Sequence, residues 1–365
     1  MLQSLSPFNK TYELSLNRYY VSHWGLLEAV RELLQNSLDS ESPFVYEFVN
    51  REDDTTTLLL NSEFTVLSPT TLLLGSTSKS DATDSIGSFG EGYKIALLVL
   101  TRLGNEVNIA NGDKLWKPRF KHNNKFNEEL LVIEESPAAL KNKGLTFEIN
   151  GLSEDDVTGI INSCLQMQRN IGEKKSTKYG DILIDRKGML YVGGLFICET
   201  QLDYGYNIKP EFIKLERDRQ TVSEWDLKRI SKDMWFETEE FDVIAQMIEQ
   251  DQPDIAYAEY SSVEMVRDAC YKLFKVSHPD SVVAKTQSEL KQLIKQGLER
   301  VVVIKDNYYN NVTASKKYKA QAKVQLETVK EQLEKWFSAS KFHMHADVRK
   351  TFAAILKDSE QWRRM

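Results

Sequence analysis

Apolar and polar residues alternate with helical spacing between residues 26 and 39, and this pattern predicts a helix. Its apolar positions are Leu26, Val30, Leu33, Leu34 and Leu38. Three polar residues, Glu32, Asn36 and Asp39, follow one another at steps of four and then three, which places them along one helix face. A polar stripe on an apolar helix ordinarily faces water, and this segment by itself favours that interpretation.

A second pattern changes the interpretation, because Gly, Ser and Thr dominate the run GSTSKSDATDSIGSFGEG at residues 75–92. The helical pattern YKIALLVLTRLG follows at once, so we expect a mobile loop that leads into a helix N-terminus. Gly87, Gly90 and Gly92 allow the backbone to approach a ligand closely, and the unpaired amides of a helix start attract anions. A lone GxxGxG run is common at surface turns, but both motifs together indicate a phosphate site.

The two motifs, in this order, resemble those of the GHKL ATPases, which include gyrase B, the heat-shock chaperones, the histidine kinases and MutL. The resemblance implies that Asn36 coordinates Mg²⁺, that Glu32 activates the attacking water, and that the segment from Gly87 to Lys94 closes over the phosphates of ATP. One neutral amide oxygen can suffice for Mg²⁺ when phosphates and waters complete its shell. The nucleotide-binding set implied in this way is Asn36, Asp39, Glu63, Lys79, Gly87, Gly90, Gly92, Lys94 and Thr146. Either Lys79 or Lys94 could instead be a solvated surface residue, and Lys79 fits that interpretation better.

Recognition of adenine is where the sequence departs from the family pattern. Gly144-Leu145-Thr146 looks like the family's Gly-x-Thr strand, whose Thr hydroxyl lies near adenine, although an ordinary turn entering a strand gives the same letters. The family's Asp-x-Gly-x-Gly box is missing from LLLNSEFTVLSPTTLLLG, where Asn61, Ser62 or Glu63 occupies the position of the aspartate. This departure leaves open a degenerate member that does not hydrolyse ATP, whereas Glu32 fits the hydrolysing branches.

Three regions follow from the patterns along the chain. Residues 1–152 combine helices with strand-like runs such as TTTLLLN, EELLVIEE and LTFEIN, as expected for a GHKL (Bergerat-type) α/β sandwich. Residues 153–235 predict a smaller, transducer-like α/β domain, in which a Lys-Gly turn at 187–188 suggests paired strands. Residues 236–365 are mainly helical, with a strand-like VVVIK and a long helix over 314–337, whose apolar seam favours packing within the chain.

Composition narrows the function classes further. The chain has 365 residues, 41% apolar and 28% charged, and neither an apolar run of spanning length nor a signal-peptide pattern is found, so we expect a cytoplasmic protein. Three scattered cysteines argue against a disulfide framework or a zinc site, and His343 and His345 are read as surface residues. The last 65 residues hold 13 Lys or Arg and 7 Asp or Glu, so this basic end could contact nucleic acid or form an ordinary solvated helix.

The expected function is Mg²⁺-dependent ATP binding with hydrolysis, in a conformational switch or clamp that acts on a macromolecular partner, either a protein or a nucleic acid. An ATP-dependent homodimer is implied by the family resemblance, as is a likeness to compact bacterial and phage-encoded ATPases. The alternative is a non-catalytic module that keeps the fold and captures a protein or nucleic acid through its C-terminal region. These two hypotheses differ in whether Glu32 is needed for turnover.

Overall fold

The computed structural model describes residues 10–39, 42–63, 66–73, 92–139, 141–215, 221–260, 262–318 and 329–358. The chain divides into two compact units, Met1–Thr238 and Glu239–Met365. The predicted α/β class is confirmed, since the structure combines β-sheets with helices. Within the described residues, every helix is too short or too polar to cross a membrane.

A seven-stranded sheet, antiparallel throughout, forms the centre of the first unit, with the strand order β1-β6-β5-β4-β7-β3-β2. Its strands are β1 Lys10–Asn17, β2 Val45–Asn50, β3 Thr56–Ser62, β4 Val107–Asn111, β5 Lys114–Asn123, β6 Glu128–Pro137 and β7 Leu145–Leu152. The three strand-like runs named from the sequence correspond to β3, β6 and β7, which confirms them.

Helices α1 (Leu26–Leu38) and α2 (Gly92–Leu103) pack against each other on one face of this sheet. Both were predicted from the sequence. The core between the helices and the sheet contains fully buried residues from α1, α2 and the central strands, among them Leu33, Leu97 and Ile109. Burial of such side chains, at roughly 1.5–3 kcal/mol each, holds the two helices in place over the strands.

A smaller five-stranded sheet follows, in the order β11-β10-β12-β9-β8. Its strands are β8 Lys174–Thr177, β9 Gly180–Leu183, β10 Met189–Val192, β11 Leu195–Glu199 and β12 Gly205–Ile208, and helices α3 (Glu154–Ser163) and α4 (Glu224–Glu237) flank it in sequence. Ile160, Cys164 and Leu195 belong to the same core as α1 and α2. One hydrophobic core thus includes residues from both sides of the predicted boundary between residues 152 and 153. That boundary remains a prediction.

The expected Lys-Gly hairpin at 187–188 is wrong. Strand β12 lies between β9 and β10 and pairs with both, so the two strands beside that turn are not neighbours. The tight hairpin joins β10 to β11 through Gly193 and Gly194, whose φ angles of 57° and 86° suit a two-residue turn with both central residues left-handed.

The second unit consists mainly of helices, as the sequence indicated. They are α5 Phe241–Gln250, α6 Glu264–Ser277, α7 Gln287–Lys295, α8 Asp306–Ala314, α9 Val329–Ser340 and α10 Ala346–Asp358. A two-stranded parallel sheet joins β13 (Val282–Ala284) to β14 (Val301–Val303), the latter being the predicted VVVIK strand. Residues 316–318 and α9 are helical, and residues 319–328 lie outside the described residues, so the single helix expected over 314–337 remains a prediction.

Candidate functional site

The chain entering α1 is fixed by α2. The guanidinium of Arg102, in the last turn of α2, donates hydrogen bonds to four main-chain oxygens, those of Arg18, Tyr20, Val21 and Trp24, over 2.9–3.3 Å. The helix then starts with a capping contact, in which the Gly25 amide donates to the Glu28 carboxylate over 2.9 Å. These contacts fix the N-terminal end of α1, one turn ahead of Glu32.

Glu32 lies inside the helix layer rather than at the surface. Its side chain is 1% exposed, and its Oε1 lies 3.8 Å from Nη2 of Arg31, which is itself buried. The interpretation of the stripe as a water-facing surface is thus wrong for Glu32. A buried carboxylate is costly unless a cation or hydrogen bonds compensate it, so the neighbouring guanidinium supports a charged group at this position.

Asn36 and Asp39 continue from Glu32 towards the end of α1, and both are half-buried. The Asn36 side-chain nitrogen donates to the main-chain oxygen of Glu32 over 2.8 Å. The same amide carries an acceptor oxygen, Oδ1, and an oxygen of this kind can ligate Mg²⁺. Asp39 is the C-cap of α1, with its amide donating to the Gln35 oxygen.

Both ends of the glycine-rich segment are fastened at its base. Before the segment, the Asn111 side chain exchanges two hydrogen bonds of 2.8 Å with the main chain of Leu67. After it, the ammonium of Lys94 donates to the Leu73 oxygen, and the hydroxyl of Tyr93 donates to Thr71. Lys94 is fully buried, a location that the sequence did not indicate.

Gly92 is the first residue of α2 and is buried, so the helix begins where the sequence placed it. The remaining expected loop residues, Lys79, Gly87 and Gly90, lie outside the described residues. Main-chain amides in the first turn of a helix lack partners within the helix and carry the positive end of its dipole. The start of α2 is therefore suited to an anion.

Thr146 and Asn61 form a side-chain pair on the sheet. The Thr146 hydroxyl donates to Asn61 Oδ1 over 3.1 Å, and the Asn142 amide donates to the Thr146 oxygen over 2.8 Å. Their strand neighbours Leu60 and Phe147 belong to the core with α1 and α2. Since successive strand residues point to opposite faces, the structure places Thr146 and Asn61 on the face away from the helices.

At the end of β3, a different pair of residues lies on the face of the sheet towards the helices. Ser62, at the end of β3, is buried and lies directly opposite Leu145 of β7, which is part of the helix-side core. Glu63, the next residue, is exposed. The structure thus brings Glu32 and Asn36 together on α1 and leaves Thr146 and Glu63 apart from them, so the assignment of the last two to adenine remains a prediction.

The side chains around Asn36 offer few ligands for a metal ion. Among the described residues, no group of three or more His, Cys, Asp or Glu side chains converges as a metal site would require. A metal at Asn36 would therefore rely on phosphate oxygens and waters, as Mg²⁺ commonly does with nucleotides. A neutral amide oxygen one helical turn from a carboxylate fits that mode of binding.

Three residues of the site, Arg31, Tyr93 and Asn111, were not predicted from the sequence. Arg31 directly precedes Glu32. A basic residue beside a carboxylate on an otherwise apolar helix is a pattern from which the Arg31–Glu32 contact could have been predicted. Tyr93 and Asn111 act on main-chain atoms of residues 67–73, and these contacts between distant parts of the chain leave no local pattern.

No family model matches the chain. A Mycoplasma pneumoniae protein described as uncharacterized is 25% identical over 224 residues, which cover 58% of this chain and 91% of the relative. Among solved structures, the B subunit of DNA gyrase from Myxococcus xanthus aligns with a TM-score of 0.27 and 8% identity, over 63% of this chain and 91% of that chain. A TM-score this low supports no conclusion about function.

Proposed function

We propose that this protein binds ATP with Mg²⁺ and hydrolyses it, and that the cycle switches the conformation of a clamp acting on a macromolecular partner. One observation carries the proposal: the buried Glu32 carboxylate lies one helical turn from Asn36, whose amide is anchored to the Glu32 main-chain oxygen. Helix α1 packs on α2, which starts at the end of the glycine-rich segment. A metal ligand, a general base and an anion-binding helix start are thus carried by two adjoining helices.

Each residue then has a defined part in the reaction. Asn36 Oδ1 would hold Mg²⁺, which would neutralise charge on the phosphates when bound. Glu32 orients a water molecule for attack on the γ-phosphate and accepts its proton, and the guanidinium of Arg31 compensates the carboxylate before the water binds. The amides at the start of α2, from Gly92 onward, receive a phosphate oxygen.

Lys94 takes a supporting part in this proposal. Its buried ammonium donates one of its three hydrogens to the Leu73 oxygen. Lys94 thereby ties the start of α2 to the chain that precedes the glycine-rich segment. Lys79, within that segment, is left as the proposed cation for the phosphates.

The base is proposed to meet Ser62 and Leu145 at the helix-side end of β3 and β7. These two residues are directly opposite each other and face the same side as α1 and α2. Glu63 and the pair Asn61 and Thr146 point elsewhere. A serine hydroxyl would then replace the aspartate that the resemblance implies at the adenine.

Calorimetric titration with a non-hydrolysable ATP analogue and Mg²⁺ tests the proposal. Wild type and Glu32→Ala should bind, Asn36→Ala should lose the Mg²⁺-dependent part of binding, and only wild type and the control Glu47→Ala should release phosphate from ATP. Glu47 is an exposed carboxylate on β2. Absence of binding by the wild type would overturn the proposal, and equal turnover by wild type and Glu32→Ala would remove Glu32 as the base.

The missing aspartate box favours one other function, a non-catalytic module that binds a partner through its C-terminal region. Such a module would show no phosphate release by the wild type under any nucleotide concentration tested. It would also retain partner binding in both Glu32→Ala and Asn36→Ala.

A further inference from the structure

A cavity of about 920 Å³ lies in the second unit, where the start of α5 meets α6. Residues 239–243 line one side of it, and α6 from Met265 to Val276 lines another, together with Lys317. Sites for small ligands have volumes of about 300–1,000 Å³, so this cavity is large enough for one. All of its lining residues belong to the second unit, whereas the candidate nucleotide site belongs to the first.

The ammonium of Lys275 is the unusual group in this lining. Its Nζ atom is buried and has no hydrogen-bond partner within the described part of the chain. The other two lysines of the cavity are already paired. Lys272 lies 3.1 Å from a carboxylate oxygen of Asp242. Lys317 lies 2.9 Å from one of Asp268. Because a buried charge without a counterion is costly, the position of Lys275 is suited to an anionic ligand.

The start of α5 adds main-chain donors near this ammonium. Among the described side chains, none caps α5, and Asp242 and Val243 of its first turn line the cavity. The bond from Lys272 to Asp242 holds this turn beside α6, about one helical turn before Lys275. Amides in a first helical turn lack partners within the helix and favour negative charge. The ammonium and these amides therefore form one anion-binding end of the cavity.

Apolar side chains of α6 follow the cavity along the helix. Met265, Ala269 and Val276 are spaced by four and then seven residues, so they share one face of α6. Met265 and Val276 are 56% and 76% exposed, although both are large and apolar. Between these two residues the helix rises by about 16 Å. An apolar strip of this length fits an extended alkyl chain.

The charge of the lining favours a ligand with a single negative charge. Two further carboxylates, those of Glu239 and Glu240, also line the cavity. With Asp242 and Asp268 they make four carboxylates against three lysines. Glu239 is exposed, so water and salt screen its charge. A nucleotide or a phosphopeptide would bring several negative charges among these carboxylates, whereas a single carboxylate requires only one ammonium.

We propose that this cavity binds a monocarboxylate with an unbranched alkyl chain, that is, a medium-chain fatty acid. The carboxylate pairs with the ammonium of Lys275 and accepts hydrogen bonds from amides at the start of α5. The alkyl chain lies along α6 towards Met265. Lys275 thereby gains the counterion that the described part of the chain does not supply. Binding is non-covalent and does not depend on the proposed nucleotide site.

Calorimetric titration of the full chain with sodium decanoate, below the concentration at which it forms micelles, tests the inference. Wild type should bind it with a dissociation constant of about 0.1 mM. Octanoate should bind about tenfold more weakly, because it lacks two methylene groups. Decylammonium, which has the same chain length and the opposite charge, should bind about tenfold more weakly than decanoate or not at all. No binding of decanoate up to about 1 mM, or equal binding of decylammonium, would overturn the proposal.

Lys275→Met tests the role of the ammonium. The variant keeps an unbranched side chain and removes a buried charge, so it should fold as wild type does, which circular dichroism checks. Its affinity for decanoate should fall about tenfold, while decanoate should still bind more tightly than octanoate. The matched control is Lys291→Met, at an exposed lysine of α7 outside the cavity, which should bind as wild type does. Undiminished affinity in Lys275→Met would overturn the proposal.

Met265→Glu tests the direction of the alkyl chain. Because Met265 is 56% exposed, a glutamate can replace it without burying a charge. The variant should lose the gain in affinity from octanoate to decanoate and bind octanoate as wild type does, since the shorter chain stops short of this residue. An unchanged gain would contradict the proposed path along α6. Asn36→Ala should bind decanoate normally, and a loss there would show that the two sites are not independent, against this inference.

Discussion

The phenolic oxygen of Tyr93 donates a hydrogen bond to the main-chain oxygen of Thr71 across 2.8 Å, joining the start of α2 to the chain before the glycine-rich segment. Replacement of Tyr93 by Phe removes the hydroxyl and leaves the Thr71 oxygen without this donor. We expect the free energy of unfolding to fall by about 1 kcal/mol, the usual size of such a bond. Urea unfolding of both proteins measures it, and an unchanged midpoint would show that the bond contributes nothing.

The same phenol predicts a pH dependence in alkaline solution. Burial raises the pKa of Tyr93 from its usual 10 to about 12. The folded state therefore holds this proton more tightly, so its contribution to stability is complete below pH 10 and is lost as the pH rises towards 12. Since other groups also titrate in this range, the measurement is the difference between wild type and Tyr93→Phe. The stability of the variant should decline less between pH 10 and 12, and parallel declines would contradict the assignment.

The two helices of the candidate site could be predicted because each has a long run of apolar residues at regular spacing, as in α2 from Ile95 to Leu100. The insertion of β12 between β9 and β10 could not, since it depends on Tyr206 pairing with both Leu190 and Ile182. The local sequence likewise predicted the strand that contains Thr146, but not the face of the sheet on which Thr146 lies. That face depends on the register between β3 and β7, which is a property of two distant segments.

We expect weak discrimination between bases if Ser62 meets the base as proposed. A carboxylate only accepts hydrogen bonds and so selects the amino group of adenine, whereas a hydroxyl both donates and accepts and tolerates the carbonyl of guanine. We expect non-hydrolysable ATP and GTP analogues to bind with affinities within about tenfold of each other. Ser62→Asp should increase the preference for ATP by about tenfold, equivalent to ~1.4 kcal/mol. Asn61→Asp, on the other face of the sheet, is the matched control and should leave the ratio of ATP to GTP affinity unchanged. A larger change in this ratio for Asn61→Asp than for Ser62→Asp would show that Asn61, and not Ser62, meets the base.

Arg102 is expected to be irreplaceable by Lys. Its guanidinium serves four main-chain oxygens of residues 18–24, a segment in which Val21 has a φ of 47°, unusual for a β-branched residue. An ammonium cannot span the same oxygens, so Arg102→Lys should lower the free energy of unfolding by about 2 kcal/mol. Hydrogen exchange should become faster at the amides of this segment. Arg119→Lys, an exposed change on β5, should alter neither quantity, and a similar loss in both variants would point to a general effect of the substitution.

Gly144 is the position at which a single methyl group should have the widest effect on the site. A Cβ atom there would lie 2.1 Å from the main-chain oxygen of Ser62 and 2.5 Å from that of Glu63, so the end of β3 would have to move. Gly144→Ala should lower the free energy of unfolding by about 2–3 kcal/mol and weaken nucleotide binding through the displaced Ser62. Gly104→Ala is the comparison, because its φ of 91° is strained for Ala while no atom lies within 4 Å of the added carbon. That variant should lose only about 1 kcal/mol and bind nucleotide normally. If both variants lost the same stability and kept their affinity, close contact between Gly144 and β3 would not govern the site.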